Sequence, residues 1–316
     1  MAAFNSQSDS HLIRSTLWST RLKQTFDDEL FANKYVDMIT DFPDGDTINL
    51  PSIGQMEVQD FEEGQAVRYT AMDTGNFTFT ITDYKSAATS ISEKYKQDMF
   101  YMSRLTSSFV PKMHRALMKA WEVDVLAAGP ASQTLTSTNA INGAAHRWVG
   151  QGTNETMAPE DFAKALFALQ MANVPTNNLV AIVHPSVEYK FNTLTNLANV
   201  SNNPRWEGIV SSGIATGMRF VKNIYGFDVY TSMNLKVNAA SEGISGVTAA
   251  AGVNNLFFSA TPDILPFIGS IRQAPKVDSR FNQDLQQDEF VTTMRYGVKT
   301  IYPENLVIVV TDTDQV

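Results

Sequence analysis

The four histidines of this chain, His11, His114, His146 and His184, lie far apart in sequence, and none falls in a metal-ligand spacing. His184 stands before Pro185 at the end of an apolar run, where a turn or core histidine is the ordinary reading. The carboxylates cluster at Asp27-Asp28-Glu29 and Glu62-Glu63. Two acids divide into a general acid and a general base only when their surroundings push their pKa values apart. Neighbouring acids on a turn or a helix start share the same water. No Gly-x-Ser-x-Gly elbow, phosphate loop or dinucleotide fingerprint occurs. The absence of cysteine excludes disulfides, thiolate metal sites and cysteine nucleophiles together. Neither an enzyme nor a cofactor is expected.

What remains is charge sorted by segment. Between Asp46 and Asp83 there are seven acids, Asp46, Glu57, Asp60, Glu62, Glu63, Asp73 and Asp83, against one base, Arg68. Lys94, Arg104, Lys112, Arg115 and Lys119 follow; on a helix they fall within an arc of roughly 80°. Met102, Phe109, Met113, Leu117 and Ala120 fall on the other side. A stripe of this kind is either a solvated helix face or a screened, non-specific cushion against nucleic acid. The net charge of −9 rules out a globally basic surface, so any such contact is local.

These charges need elements to carry them. A chain of 316 residues, 43 % hydrophobic and 18 % charged, folds as one large or two modest domains. No apolar run approaches the roughly 18 residues of a membrane span; the longest, Leu179–Val183 and Leu306–Val310, are strand-length. Met1–Ser10 has neither a basic start nor an apolar core, so no signal peptide is expected.

Residues 1–45 read as an arm with one helix, carrying Leu17, Trp18, Leu22, Phe26, Leu30 and Phe31 at helical spacing, and Pro43-Asp44-Gly45-Asp46 makes a turn. A hairpin occupies 46–83. Ile48 and Leu50 alternate with polar neighbours, as do Val67 and Tyr69; Phe77, Phe79 and Ile81 alternate with Thr78, Thr80 and Thr82. A helix is expected from about Ser92, as N-cap, to Ala128, with Gly129-Pro130 as its stop and a bend or a division into two helices at Pro111. A hairpin beside a long helix has too little local core to bury its faces, so both are expected to lean on a neighbouring subunit.

Residues 130–158 read as a loop, and Pro159-Glu160-Asp161 opens a helix with Phe162, Leu166 and Leu169 buried. Leu179–Val183 is a buried strand, followed by a short helix from Ser186 with Val187, Phe191 and Leu194. Beyond it come strands at Arg219–Ile224, Val229–Thr231, Leu256–Ser259, Phe290–Thr300 and Leu306–Val310, with Ala239–Gly252 as a loop. The class is α+β.

In this order the elements resemble the major capsid proteins of tailed bacteriophages, the Hong Kong 97 type of shell subunit, in its short-tailed form. The likeness rests on Leu50-Pro51-Ser52-Ile53-Gly54 with Glu63-Gly64-Gln65, and on Phe77–Ile81 leading to a helix that ends Glu122-Val-Asp124-Val-Leu126. It rests further on Asn173-Val174-Pro175 before Leu179–Pro185, and on Tyr225-Gly226-Phe227 through Leu235. Asn177 or Asn178 stands where the family usually has a base. The resemblance spans roughly residues 10–312.

It implies an N-terminal arm over 1–45, an extended hairpin loop over 46–83, a peripheral domain with the spine helix over 84–130 and 256–316, and an axial domain over 131–255. It also implies pentamers and hexamers forming an icosahedral shell around double-stranded DNA, built in the host cytoplasm and ending in the virion, with no membrane. The partners would be other copies of the chain, portal and scaffolding proteins, packaged DNA held weakly, and a possible cement protein. No charged helical leader precedes residue 10, so a separate scaffold is expected. In such shells the hairpin lies on the neighbour, and the basic group Arg272, Lys276, Arg280, Arg295 and Lys299 is expected to meet Glu57, Asp60, Glu62 and Glu63 across subunits, with Arg68 at the same contact. The alternatives are an encapsulin-type compartment of the same fold, separable by whether particles are filled with DNA or cargo, and a soluble α/β enzyme with an unrecognised site.

Some shells of this type join a hairpin lysine covalently to a neighbour's asparagine. This hairpin has no lysine between Asp46 and Asp83, and arginine stays protonated and cannot attack. A denaturing gel of assembled particles should therefore show monomer alone; a ladder of multiples would refute this.

Overall fold

A computed structural model describes residues 30–40, 45–53, 60, 63–64, 74–98, 102–134, 137–193, 223–238 and 252–312. In chain order, a 3-10 turn (Ala32–Tyr35) leads to β1 (Val36–Met38), β2 (Thr47–Ile53), β3 (Thr74–Thr80) and β4 (Asp83–Ser92). Helices α1 (Glu93–Asp98) and α2 (Met102–Ser132) follow. Next come β5 (Ala140–Ile141), β6 (Ala144–Ala145), β7 (Arg147–Val149), α3 (Pro159–Met171), β8 (Leu179–Val183) and α4 (Pro185–Thr193). The chain closes with β9 (Asn223–Ile224), β10 (Phe227–Thr231), β11 (Val253–Ser259), β12 (Phe267–Asn282), β13 (Gln287–Thr300) and β14 (Val307–Thr311).

The centre is a six-stranded mixed sheet in the order β7-β14-β11-β8-β10-β9. Strands β8, β11 and β14 are buried along their whole length. With both faces covered, β8 and Val307–Val310 of β14 read as unbroken apolar runs instead of alternating, while β11 buries Asn254 and Asn255 with hydrogen-bond partners. One face, with Ala181, Phe257, Val307 and Val309, packs on Phe162, Ala165 and Leu169 of α3 and on Val187 and Phe191 of α4. The other, with Val180, Ile182, Leu256, Phe258 and Ile308, packs on Leu117, Trp121, Val125 and Leu126 of α2.

Behind α2 lies a second sheet, β1-β12-β13-β4, dominated by the long β12–β13 hairpin. It presents Phe267, Met294 and Tyr296 to the same core. Helix α2 is thus the filling between two sheets. Trp121 meets the Tyr296 ring edge-on, with centroids 5.1 Å apart. A Cβ on Gly269 of β12 would lie 2.7 Å from Trp121 Cη2 and 2.9 Å from Val36 Cγ1. Glycine is what lets the indole reach the sheet.

Several expectations are corrected. The segment before the helix is the ten-residue strand β4, whose weak apolar signal (Ala87 and Ile91 among Ser, Thr and Ala) hides its pairing with β13. Ser92 does cap a helix, its hydroxyl taking the Tyr95 amide at 3.3 Å, but that helix is α1. Helix α2 runs as one element through Pro111, so no second helix begins there. It also continues past Gly129-Pro130 to Ser132, because Gly129 and Pro130 are packed into the body and the Ser132 hydroxyl donates to the Gly129 carbonyl.

The 130–158 stretch contains the β5–β6 hairpin and β7. β12, unforeseen as a strand, alternates charge with apolar residues and carries Pro275 and two bulges that mask its periodicity. β11 pairs with β8 and β14 with β7, which joins 253–259 and 307–311 to the same six-stranded sheet as Leu179–Val183. Finally, the C-terminal half of α2 buries its apolar face in its own subunit, where a neighbour was expected. The arm helix before Leu30, Pro43-Asp44, Val67 and Tyr69, Leu194, Arg219 and the 239–251 part of the loop lie outside the described residues.

Replacing Gly269 with alanine should overpack this junction and destabilise the subunit by about 1–3 kcal/mol. Urea denaturation would measure the loss, and an unchanged midpoint would show that Trp121 has room to yield.

Candidate assembly surfaces

The hairpin leaves the body where β2 and β3 pair from Thr47–Thr80 to Ile53–Thr74. Phe79 and Ile81 are buried with Ile268, and Ile39, Leu50, Phe77 and Ile301 pack around them. The other face is the expected threonine ladder, exposed, with Thr47 and Thr80 hydroxyls 3.3 Å apart and Thr78 donating to Asn49 at 2.9 Å. Cβ on Gly297 of β13 would stand 2.9 Å from Ile81 Cα and 3.0 Å from the Thr80 carbonyl oxygen. Only glycine admits the root this close. Lys299 completes the root: its ammonium donates to the Thr78 carbonyl at 2.9 Å and sits 4.7 Å from the centroid of the Phe77 ring.

Lys299 thus contacts the root of its own hairpin within the subunit. Arg280 is likewise engaged at home: its Nε donates to Glu289 at 2.8 Å. Asn282 and Gln287 also donate to that carboxylate. Their hydrogen bonds and that of Arg280 hold Glu289 down to a pKa of about 2. Lys276 pairs with Asp278 at 3.0 Å, both well exposed. Arg272 is exposed and Arg295 half-buried, and all five expected bases lie on the one β12–β13 ribbon. Of the hairpin acids, Asp46, Asp60 and Glu63 are exposed. Glu57, Glu62, Asp73 and Arg68 lie outside the described residues, as do His11 and Asp27-Asp28-Glu29.

On the helices, Lys112 and Lys119 are exposed and Arg115 half-buried, opposite the buried Met113 and Leu117. Lys94 is exposed on α1; the side chain of Arg104 lies outside the described residues. The stripe is thus a surface along its described length. Among the described residues no group of three or more metal-ligating side chains occurs. His146 and His184 are both driven towards the neutral form by burial. His184 exchanges a hydrogen bond with Ser186 at 2.8 Å as it enters α4, a structural role.

Two acids were not anticipated as anchors. Glu122 is buried on α2 and takes the amides of Phe31 at 2.8 Å and Ala32 at 3.4 Å, with the Asn234 side-chain amide at 3.4 Å on its other oxygen. Asp124, two residues on and facing the sheet, takes Lys85 Nζ and the Tyr296 hydroxyl. Burial and then this hydrogen bond raise the Tyr296 pKa. Burial and then the charge of Asp124 raise that of Asp83. Both acids stand among the apolar residues from Trp121 to Ala128, where packing encloses Glu122 and leaves Asp124 partly exposed. Asp161 is similar. Read as a dipole partner, it is fully buried and accepts from Trp148 Nε1, Gln151 and Ala158.

No family model matches this chain, and no curated protein matches it. Solved structures do. One from Mycobacterium phage Che8 superposes with a TM-score of 0.70 at 16 % identity, over 97 % of this chain and 98 % of that one. The capsid structure of Cyanophage P-SCSP1u gives 0.70 at 17 %, over 96 % and 93 %. The Cyanophage Pam1 capsid asymmetric unit gives 0.70 at 14 %, over 99 % of each. The chain shares its fold with these phage structures, two of them capsids, over nearly its whole length.

Substituting Lys299 with methionine keeps the length of the side chain and removes its charge. The loss of an exposed cation–π contact worth about 0.5–1 kcal/mol should open the hairpin root roughly two- to fivefold more often. Limited proteolysis between residues 46 and 83 should quicken by that factor at unchanged global stability. An unaltered cleavage rate would remove the clamp.

Proposed function

We propose that this chain is the major capsid protein of a tailed phage, assembling as pentamers and hexamers into an icosahedral shell around double-stranded DNA. The observation that carries this reading is the agreement in fold with capsid subunits over nearly the whole length of the chain. The order of hairpin, strand, long helix and two-sided sheet supports it independently. The role is structural, and the product is a virion component. No helix among the described residues is long and apolar enough to cross a membrane.

In this reading a rigid body, made of two sheets clamped on α2, carries a projecting acidic hairpin. The hairpin lies on the neighbouring subunit, bringing Glu57, Asp60, Glu62 and Glu63 towards Arg272, Lys276 and Arg295. Lys299 and Arg280 serve the subunit that owns them. Charges at such a rim set register and orientation more than affinity, and a closed shell repeats the contact many times. The stripe of Lys112, Arg115 and Lys119, with Lys94 and Arg104, faces packaged DNA and screens it without sequence preference. Portal and scaffolding proteins complete the assembly, and a cement protein can be added outside.

Electron microscopy of the expressed chain tests the reading: closed shells are expected, and a uniform small oligomer would overturn it. DNA-filled, portal-bearing particles separate a phage shell from a cargo compartment. For the hairpin contact, the double substitution Glu62→Lys and Glu63→Lys should leave the subunit folded by circular dichroism and reduce shell yield by at least tenfold. Normal shells from that variant would remove the hairpin acids from the interface.

A further inference from the structure

Strand β4 closes the four-stranded sheet on one side, and no strand among the described residues pairs with its outer edge. The direction of its backbone groups can be read from one hydrogen bond. The Glu93 amide donates to the Gln286 carbonyl at 2.8 Å, one step beyond the Ser92–Gln287 pair. In an antiparallel ladder the bonded residues alternate. The odd-numbered residues of β4 therefore bond to β13, and Tyr84, Ser86, Ala88, Ser90 and Ser92 turn their N–H and C=O groups to the free edge. The same five side chains are exposed.

This edge is unlike its counterpart across the sheet. Beyond Gly269, where β1 ends, β12 is also open. There, however, it is interrupted by two bulges and Pro275 and flanked by Arg272, Lys276, Asp278 and Arg280, the devices that discourage edge-to-edge pairing. Over Tyr84–Ser92, β4 has only Lys85 among such devices. Its register against β13 is unbroken, it contains no proline, and its one base, Lys85, is turned inward to Asp124. Its outward side chains after Tyr84 are only Ser and Ala, which let another backbone approach. Nor is a solvated edge of ten residues needed for β4 to hold its place, since the β13 ladder and α2 already fix it.

The geometry points to β4 as a strand-addition site, occupied by an extended segment of a second copy of this chain. The chemistry the edge can recognise is a polypeptide backbone, since it offers alternate N–H and C=O groups and no charge. A second copy is the occupant because the edge continues directly from the hairpin: β3 ends at Thr80 and β4 begins at Asp83. A neighbour that receives the hairpin is thereby brought to the end of β4. This inference rests on the shell reading.

Hydrogen exchange resolved to single amides tests it. In the unassembled subunit the amides of Ser86, Ala88 and Ser90 should exchange freely while those of Ala87 and Thr89 are protected; in assembled particles the first set should slow by at least a hundredfold. Ala88→Pro removes one outward donor and leaves the β13 ladder intact, so the subunit should fold and assembly should fall at least tenfold. Ala87→Pro, which breaks that ladder, should instead damage the subunit itself. Should Ala88→Pro fail to fold, the exchange comparison on the unmodified chain still decides.

Particles in which Ser86, Ala88 and Ser90 stay unprotected would overturn the strand addition and leave the shell reading standing. Protection already present in the monomer would mean that the chain covers its own edge, and would also overturn it. A chain that never associates would sink both readings.

Discussion

Two carboxylates on opposite sides of α2 decide how the rest of the subunit is arranged. Glu122 is buried, and a buried carboxylate is costly unless hydrogen-bond donors surround it. Its donors are the Phe31 and Ala32 amides and the Asn234 side chain, so the entry of the N-terminal segment is fixed to the helix. Asp124 faces the other way and is satisfied by Lys85 of β4 and Tyr296 of β13. One turn of helix thus ties the arm to one side and the second sheet to the other. Trp121, in contact with both Tyr296 and the space above Gly269, fills what the acids align. Removing Glu122 would strand the donors around it in a dry interior, a larger loss than the contact itself contributes, whereas the Lys85–Asp124 pair is partly open to solvent.

The same arrangement separates what is rigid from what projects. Around α2 two sheets share one continuous core, and the axial sheet is covered on its far face by α3 and α4. The hairpin has only the small cluster around Phe79, Ile81 and Ile268 to hold its base, with Lys299 as a latch over Phe77. Beyond that base the described strands are largely solvent-facing. In the shell reading proposed above, such a body would be placed many times in a lattice while its projection adjusts to each neighbour.

Charge follows the same division. Bases on β12 and β13 serve first to stabilise their own ribbon: Arg280 and the amides around Glu289 secure its tip, and Lys96 joins Asp288 to dock α1 against it. Arg272 and Lys276 are exposed on the same ribbon, Lys276 beside Asp278.

The sequence by itself determined which segments are strands buried on both faces, because Leu179–Val183 and Leu306–Val310 are apolar at every position. It also determined the two-faced β3, because Phe77, Phe79 and Ile81 alternate with threonines at the sheet period. The absence of catalytic spacing and of any hairpin lysine was equally legible, being a matter of residue type. Local pattern could not reveal β4 and β12, whose residues are small, charged or interrupted by proline; they are strands because β13 offers them a ladder. Nor could it assign Glu122, Asp124 and Lys299, since a charge in a periodic segment reads as solvent-facing until packing encloses it. Only tertiary structure decided those roles. Burial and pairing are properties of what a residue meets across the chain, over separations of 91 residues for Phe31–Glu122 and 221 for Thr78–Lys299, far beyond any local period.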